Sequence, residues 1–265
     1  MPSKINHLIG FGGGGGAGLS NNDAIAVDGD DYGELDGAAL TGVSNGKAGT
    51  ISFWAKATGN DTQHRYLFCM GTGSGTPYSV LLNLTNADLW QFYIRKAADS
   101  AYGIAAVDDV VYKSDTNTGW HHHLISWDVA VAGSFRWYID DVDASVTPSL
   151  YVDADLEYTV SRARICDDIG FGGAYVPFYG EVFDFWMSLD TYFDFDVAAN
   201  RRKFVTAGIK PVNLGSDGSN PGATPVVYFA LDDGAAAANF LTNRGSGQNF
   251  TESGTLVVAG DSPSD

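Results

Sequence analysis

The sequence predicts an all-β fold, an antiparallel β-sandwich, and three observations lead to it. Acidity is carried on Asp: of 32 acidic residues, only Glu34, Glu157, Glu181 and Glu252 are Glu. Asp favours turns and caps, whereas Glu favours helix interiors. Gly numbers 33 and aromatic residues make up 13 % of the chain, the composition of many strands joined by many turns. Finally, β-rich runs recur roughly every 10–15 residues, with turn chemistry between them. A chain of 265 residues can form one large sandwich with a core that needs no staples.

The elements follow in order. Residues 1–23 read as a flexible arm, because Gly12 to Gly16 are consecutive and Gly loses the most entropy on ordering. Gly10, Gly12 and Gly15 satisfy the spacing of a dinucleotide-binding loop, but no helix pattern follows, as that site requires. Strands begin at Ala24–Val27. Thr50–Lys56 alternates, with Ile51, Phe53 and Ala55 on one face. Arg65–Met70, Tyr78–Leu84, Leu89–Arg95, Trp120–Asp128, Phe135–Asp140, Arg162–Ile169 and Tyr179–Met187 continue the series, and Val226–Leu231 and Thr255–Ala259 close it. Val182-Phe183-Asp184-Phe185-Trp186-Met187 is apolar on both faces, which marks a central strand covered on both sides. Asp194 to Gly208 reads instead as a short helix, capped by Asp194 or Asp196 and ended by Gly208. Its cluster Arg201-Arg202-Lys203 complements the helix dipole; a nucleic-acid patch is the alternative.

The formal net charge is −17, which repels phosphate and argues against a nucleic-acid partner. No apolar run reaches the roughly 18 residues of a membrane span. Met1 to Ser20 lacks an apolar core, so no secretion signal is expected. Cys69 and Cys166 each lie in an apolar strand-like stretch, as reduced core thiols do; one inter-strand disulfide is the alternative.

Several segments together resemble a known family. They are Ile51-Ser52-Phe53-Trp54, then Gly119-Trp120-His121-His122-His123 leading to Tyr138-Ile139-Asp140-Asp141, then Phe178-Tyr179-Gly180-Glu181-Val182. This order is similar to the concanavalin A-like, laminin G-like jelly roll, over about residues 24–190. Asp141 stands where the family pattern has Gly, so a longer or different turn is expected there. Residues 191–265 look like the tail of a subgroup found in bacteriophage and prophage proteins, through Asn200-Arg201-Arg202-Lys203-Phe204, Lys210–Gly218, Pro225–Phe229, Asn243–Phe250 and Gly260–Ser264. The resemblance implies a jelly-roll sandwich over 24–265, with one short helix near 195–207. It also implies a non-enzymatic virion structural protein: a capsid or tail decoration, fibre or spike component. Such a protein assembles in the host cytoplasm, meets other virion proteins through its arm, forms homo-oligomers and contacts host-surface glycans. A lectin-like adhesion protein and a glycoside hydrolase or lyase are the alternatives.

Retaining glycosidases need two carboxylates about 5–5.5 Å apart. In Glu181-Val182-Phe183-Asp184, strand alternation gives Glu181's face to Phe183 and Phe185 and turns Asp184 away. No catalytic residue is therefore expected. His121 and His123 share a face and could hold a transition metal with a third ligand, or simply support the sheet; His122 points the other way. Asp28, Asp30 and Asp31 cluster hard oxygens in a turn that suits calcium, and Asp184 is a further ligand in that reading; ordinary acidic turns are the alternative. Sugar binding uses aromatic platforms beside polar acceptors, for which Trp90, Tyr93, Tyr102, Tyr175 and Tyr179 are the candidates, although in a β-sandwich such rings more often serve as core. No cofactor is required.

Overall fold

The computed structural model describes residues 22–264, apart from 30, 38–39, 41, 60–61, 73–77, 100, 112–118 and 170–174. The arm up to residue 21, with Gly10, Gly12 and Gly15, lies outside the described residues, as does Asp30. In chain order the strands are β1 (Asn22–Asp23), β2 (Ile25–Asp28), β3 (Tyr32–Asp36), β4 (Ala48–Ala57), β5 (His64–Gly71), β6 (Tyr78–Leu84), β7 (Leu89–Arg95), β8 (Tyr102–Val111), β9 (His121–Asp128), β10 (Arg136–Ile139), β11 (Val142–Asp143) and β12 (Leu150–Tyr151). They continue as β13 (Arg162–Ile165), β14 (Tyr175–Pro177), β15 (Tyr179–Ser188), β16 (Val227–Phe229), β17 (Leu231–Asp232), β18 (Thr251–Ser253) and β19 (Val257–Val258).

All of these strands but β1 and β17, which pair with each other, form two facing sheets, the jelly-roll sandwich that the sequence predicts. One runs β11-β10-β9-β4-β15-β2-β19, with β16 taking over from β2 along β15; the other runs β12-β8-β7-β6-β5-β13-β3-β18, with β14 on β5. Every pairing is antiparallel except β14 with β5. Asn22 and Asp23, read as part of the arm, pair with Asp232 and Leu231 instead. Strands β3 and β8 were not expected from sequence: Tyr32–Asp36 is short and acidic, and Tyr102–Val111 carries three Ala and Gly residues that weaken its β signal.

The inner faces meet in one core built on Phe53, Phe68, Phe92, Trp90, Trp127 and Phe185. A second apolar layer lies on the outer face of the first sheet, where Trp54, Leu124, Phe183 and Trp186 meet Phe193, Phe195, Phe204 and Val212. Residues 190–230 thus roof that sheet, which accounts for strands apolar on both sides. The helix expected over 195–207 is one turn, α1 (Ala198–Arg201). Val197, not Asp194 or Asp196, occupies its N-cap, and no side chain caps it. The aromatic residues there are fixed by packing onto the sheet, which overrides helix continuation. A short 3₁₀ turn (Ala237–Leu241) packs Phe240 under Phe229, 5.7 Å between ring centroids. Among the described residues no helix is long and apolar enough to cross a membrane.

The turn between β10 and β11 departs from expectation. Ile139 pairs with Val142, so Asp140 and Asp141 form a tight two-residue loop, with φ of 51° and 66°. That is the backbone usually served by Asn-Gly or Asp-Gly. Asp tolerates the left-handed region better than most residues. Asp141 is also held by Arg201 at 2.6 Å and by Arg202, and these guanidinium groups keep its carboxyl below the usual range against the opposing effect of burial. The basic cluster is therefore a clamp on a hairpin: Lys203, the third member, lies 4.4 Å from the Phe193 ring centre.

Candidate functional site

Strand β7 alternates strictly, with Trp90, Phe92 and Ile94 buried and Gln91, Tyr93 and Arg95 half-buried on the opposite face. This is the period-2 pattern of a strand with one side in the core. Among the described residues, no second apolar layer covers the outer face of the second sheet along β7. Tyr102, from the start of β8, crosses to Tyr93 and stacks on it, with ring centroids 4.7 Å apart and planes at 28°. The Arg95 guanidinium lies 4.4 Å from the Tyr102 ring centre and its Nε donates to the Tyr78 carbonyl at 2.7 Å. Gln91 Nε2 donates to the Tyr93 hydroxyl at 2.6 Å. Val107, opposite Gln91 on β8, is 39 % exposed.

Toward β5 the same face closes. Tyr66, Cys69, Leu81 and Ile169 are buried in a small cluster against which Tyr78 and Tyr93 pack. The Tyr66 and Tyr78 rings lie 5.4 Å apart, and the Tyr78 hydroxyl donates to the Asp168 carboxylate. Burial raises the Tyr93 phenol; burial first, and the Asp168 bond second, raise Tyr78 much further. Both phenols therefore stay neutral, keeping a donor as well as an acceptor. The result is a rigid comb of aromatic rings with polar tips, a surface suited to ligands that are apolar on one side and rich in hydroxyls on the other.

The nominated residues fall in different places. Tyr93 and Tyr102 come together. Trp90, by contrast, is 1 % exposed and sits edge-on to Phe53 in the core, 5.3 Å away, so it presents no ring to a ligand. Its alternation with Gln91 places it on the Phe92 face. Tyr179 lies on the other sheet, opposite Asp28, with its ring over Gly29. Tyr175 starts β14, paired to His64. Gln91, Arg95, Tyr78 and Asp168 escaped the sequence reading; the alternation of β7 points to the first two, whereas Asp168 is brought in only by the sheet.

Among the described members of the calcium set, Asp28 and Asp184 lie apart. Asp28 faces Tyr179 across the β2–β15 ladder while Val182 faces Ile25. Asp184 thus lies opposite the far end of β2, on the order of 16 Å from Asp28 at strand spacing. Asp31 accepts the Thr255 N–H at 2.6 Å and Asp184 accepts from Asn22 at 2.9 Å. Among the described residues no three His, Cys, Asp or Glu side chains gather to hold a metal. The histidines serve the sheet. His123 stacks on Phe53 at 4.6 Å, His122 bonds Ser52 at 3.0 Å, and His121 bonds Asp140 at 2.6 Å.

Strand β15 also corrects the face assignment around Glu181. A bulge interrupts its register with β4 between Phe183 and Trp186, and Asp184 there adopts φ 45°. The extra residue turns Phe185 into the inter-sheet core while Phe183 stays in the outer layer. Nor is Glu181 without an acidic neighbour. Lys56 Nζ holds it at 3.0 Å and holds Asp261 at 2.9 Å. Burial, followed by the opposing and reinforcing effects of Lys56 and Asp261, leaves the Glu181 carboxyl above its usual range. Both cysteines are free and buried, Cys69 in the outer cluster of its sheet and Cys166 in the inter-sheet core.

A family model described as the concanavalin A-like lectin/glucanases superfamily matches residues 27–178. No curated protein matches the chain by sequence. Among solved structures, one from Bacteroides ovatus ATCC 8483, named as a candidate carbohydrate-binding protein, is 12 % identical with a TM-score of 0.54, covering 91 % of this chain and 61 % of its own. The carbohydrate-binding module of the Ruminococcus gnavus IT-sialidase, bound to α2,3 sialyllactose, is 14 % identical with a TM-score of 0.49, covering 67 % and 95 %. A heptameric SAP-like pentraxin from Limulus polyphemus is 12 % identical with a TM-score of 0.47, covering 67 % and 81 %. At such identities the likeness is one of fold.

Proposed function

Because the chain belongs to the concanavalin A-like lectin/glucanases superfamily, we propose that it is a non-enzymatic carbohydrate-binding protein whose ligand lies on the outer face of β7 and β8. The observation that carries this reading is the stack of half-buried Tyr93, Tyr102 and Arg95 on the outer face of that sheet. Rings locked by one another lose little entropy on binding. Gln91 and the phenol hydroxyls add donors and acceptors at fixed positions. A glycan array tests it: binding is expected for the native chain and is expected to fall at least about tenfold in Tyr102→Ala, the effect of one stacking contact. An array with no bound glycan would end the proposal.

The absence of catalysis is part of the proposal. Glu181 and Asp261 are both tied to the Lys56 ammonium, and we read that arrangement as a structural ion pair. Release of oligosaccharide from a polysaccharide, lost in Glu181→Gln, would refute it.

The setting we propose is the surface of a bacteriophage particle, as a decoration, fibre or spike component attached through the glycine-rich arm and assembled as a homo-oligomer. This rests on the order of the motifs in residues 191–265 and on the −17 charge, which suits a solvent-facing surface. Mass spectrometry of purified particles tests it, and absence of the chain from them would overturn it.

A further inference from the structure

On one side of the tyrosine stack lie side chains that can make no polar bond. Val107 stands directly opposite Gln91 across the β7–β8 ladder, and Ala105 stands opposite Tyr93. On the next strand, β12, Leu150 stands opposite Ala105. Directly paired residues point to the same side of a sheet. Val107, Ala105 and Leu150 therefore share the outer face with Gln91 and Tyr93, while Ile104 and Ala106 turn into the core. Val107 is 39 % exposed and Leu150 44 %, whereas Ala105 between them is buried and adds only a methyl group. Together they form an apolar ledge along the edge of the stack.

The polar side of the ledge is Gln91. Its Nε2 donates to the Tyr93 hydroxyl at 2.6 Å. Its Oε1 bonds nothing among the described residues, yet it is not one of the enclosed side-chain atoms left unmet, so solvent reaches it. Because the Tyr93 oxygen accepts from Gln91, its own hydrogen points elsewhere, and burial keeps that phenol neutral. The pair thus offers one acceptor and one donor side by side. Turning the Gln91 amide over exchanges the two roles and still leaves one of each.

Two neighbouring sugar hydroxyls complement such a pair, since each can donate and accept. Paired side chains across a ladder have their Cβ atoms only about 4.5–5.5 Å apart, so a sugar ring held on Gln91 and Tyr93 also covers Val107. What that ring carries on the Val107 side then matters. A hydroxymethyl group laid on the ledge exchanges water for no partner, whereas a methyl group buries apolar surface. Resting on the carbohydrate reading of this face, we propose that its ligand is a pyranose bearing a methyl group, on C6 of a 6-deoxyhexose or at the end of an acetamido group. Neighbouring hydroxyls bond Gln91 and Tyr93, and the methyl lies against Val107 and Leu150.

Free monosaccharides test this, because a methyl glycoside would bring a methyl group of its own. Glucose, galactose and mannose, in D and L form, are each titrated by NMR beside their 6-deoxy and 2-acetamido counterparts. At least one methyl-bearing sugar is expected to bind at least about fivefold tighter than its parent. Which counterpart gains tells the two sources of the methyl group apart. A Val107→Thr/Leu150→Thr double variant keeps the side chains strand-compatible and places hydroxyls on the ledge. It is expected to bring that ratio to about one while the parent sugar still binds. Matching circular-dichroism melts establish that the variant folds. Equal affinity for every methyl-bearing sugar and its parent would overturn the proposal and leave the carbohydrate reading standing. A preference that survives in the double variant would do the same. No titration with any of these sugars would also overturn it, and the glycan array of the native chain then decides the carbohydrate reading by itself.

Discussion

At the residue scale, Asp does more here than turn the chain. Arg65 is fully buried and pairs with Asp88, itself 1 % exposed, while its Nη1 also donates to the Gly59 carbonyl at 2.6 Å. A buried pair gains little over apolar residues, but breaking it strands a charge. Asp88→Ala is therefore expected to cost about 3–5 kcal/mol, read as a lowered urea midpoint. His122 gives a pH prediction. Burial pushes its pKa down to about 3 from an ordinary 6.5, against the weaker upward pull of Asp140 and Asp141. The unfolded imidazole takes up a proton below about 6.5 and the native one does not until about 3. The unfolded chain then binds more protons, so stability present above 6.5 is lost as pH falls through this window, at about 1.4 kcal/mol per unit for His122. Buried His123 acts in the same direction. Urea midpoints at pH 7 and pH 5 should differ less in His122→Gln than in the native chain; an equal difference would refute this.

Elements are held by contacts that their own sequences do not announce. The roof of residues 190–230 is anchored by Phe204, which is 2 % exposed and packs edge-on to Trp186 at 5.1 Å and Phe193 at 5.6 Å. Phe204→Ala should cost about 3–5 kcal/mol in a single unfolding transition if roof and sheet are one cooperative unit. A separate early transition would show that the roof unfolds alone. At Gly180 in β15, φ is 149° and a Cβ would sit 2.2 Å from the Lys56 carbonyl oxygen of β4. Gly180→Ala combines backbone strain with overpacking and is expected to cost about 3 kcal/mol or more, measured by chemical denaturation. The strands were legible where apolar residues alternated, as in Thr50–Lys56 and Leu89–Arg95. They were not legible where small residues diluted the pattern, as in β8, or where the extra residue at Asp184 shifted it by one.

Across the whole molecule, the sandwich has two unlike outer faces. One carries the tyrosine stack; the other is roofed. The core also fixes the thiol chemistry. Cys69 and Cys166 lie on opposite faces of their sheet, and burial raises both thiols. A thiol-reactive probe should label neither cysteine in the native chain and both after unfolding, and reductant should leave the melting temperature unchanged. One labelled site in the denatured, unreduced chain, or none, would contradict this.

The sequence by itself determined the class of fold and most of the strands, because alternation and turn chemistry are local and survive without neighbours. It also limited what Glu181 can do within its own strand, since the chain has so few Glu residues. Only the tertiary structure decided which faces meet solvent. Trp90 and Tyr93 lie three residues apart on one strand, yet Trp90 faces the opposite sheet in the core and Tyr93 lies half-buried on the outer face. Asp261 reached Lys56, and through it the side chain of Glu181, from 205 positions along the chain, and Asp28 was carried away from Asp184 by an antiparallel ladder. Such long-range approaches are set by strand register and layer packing, which no local pattern encodes.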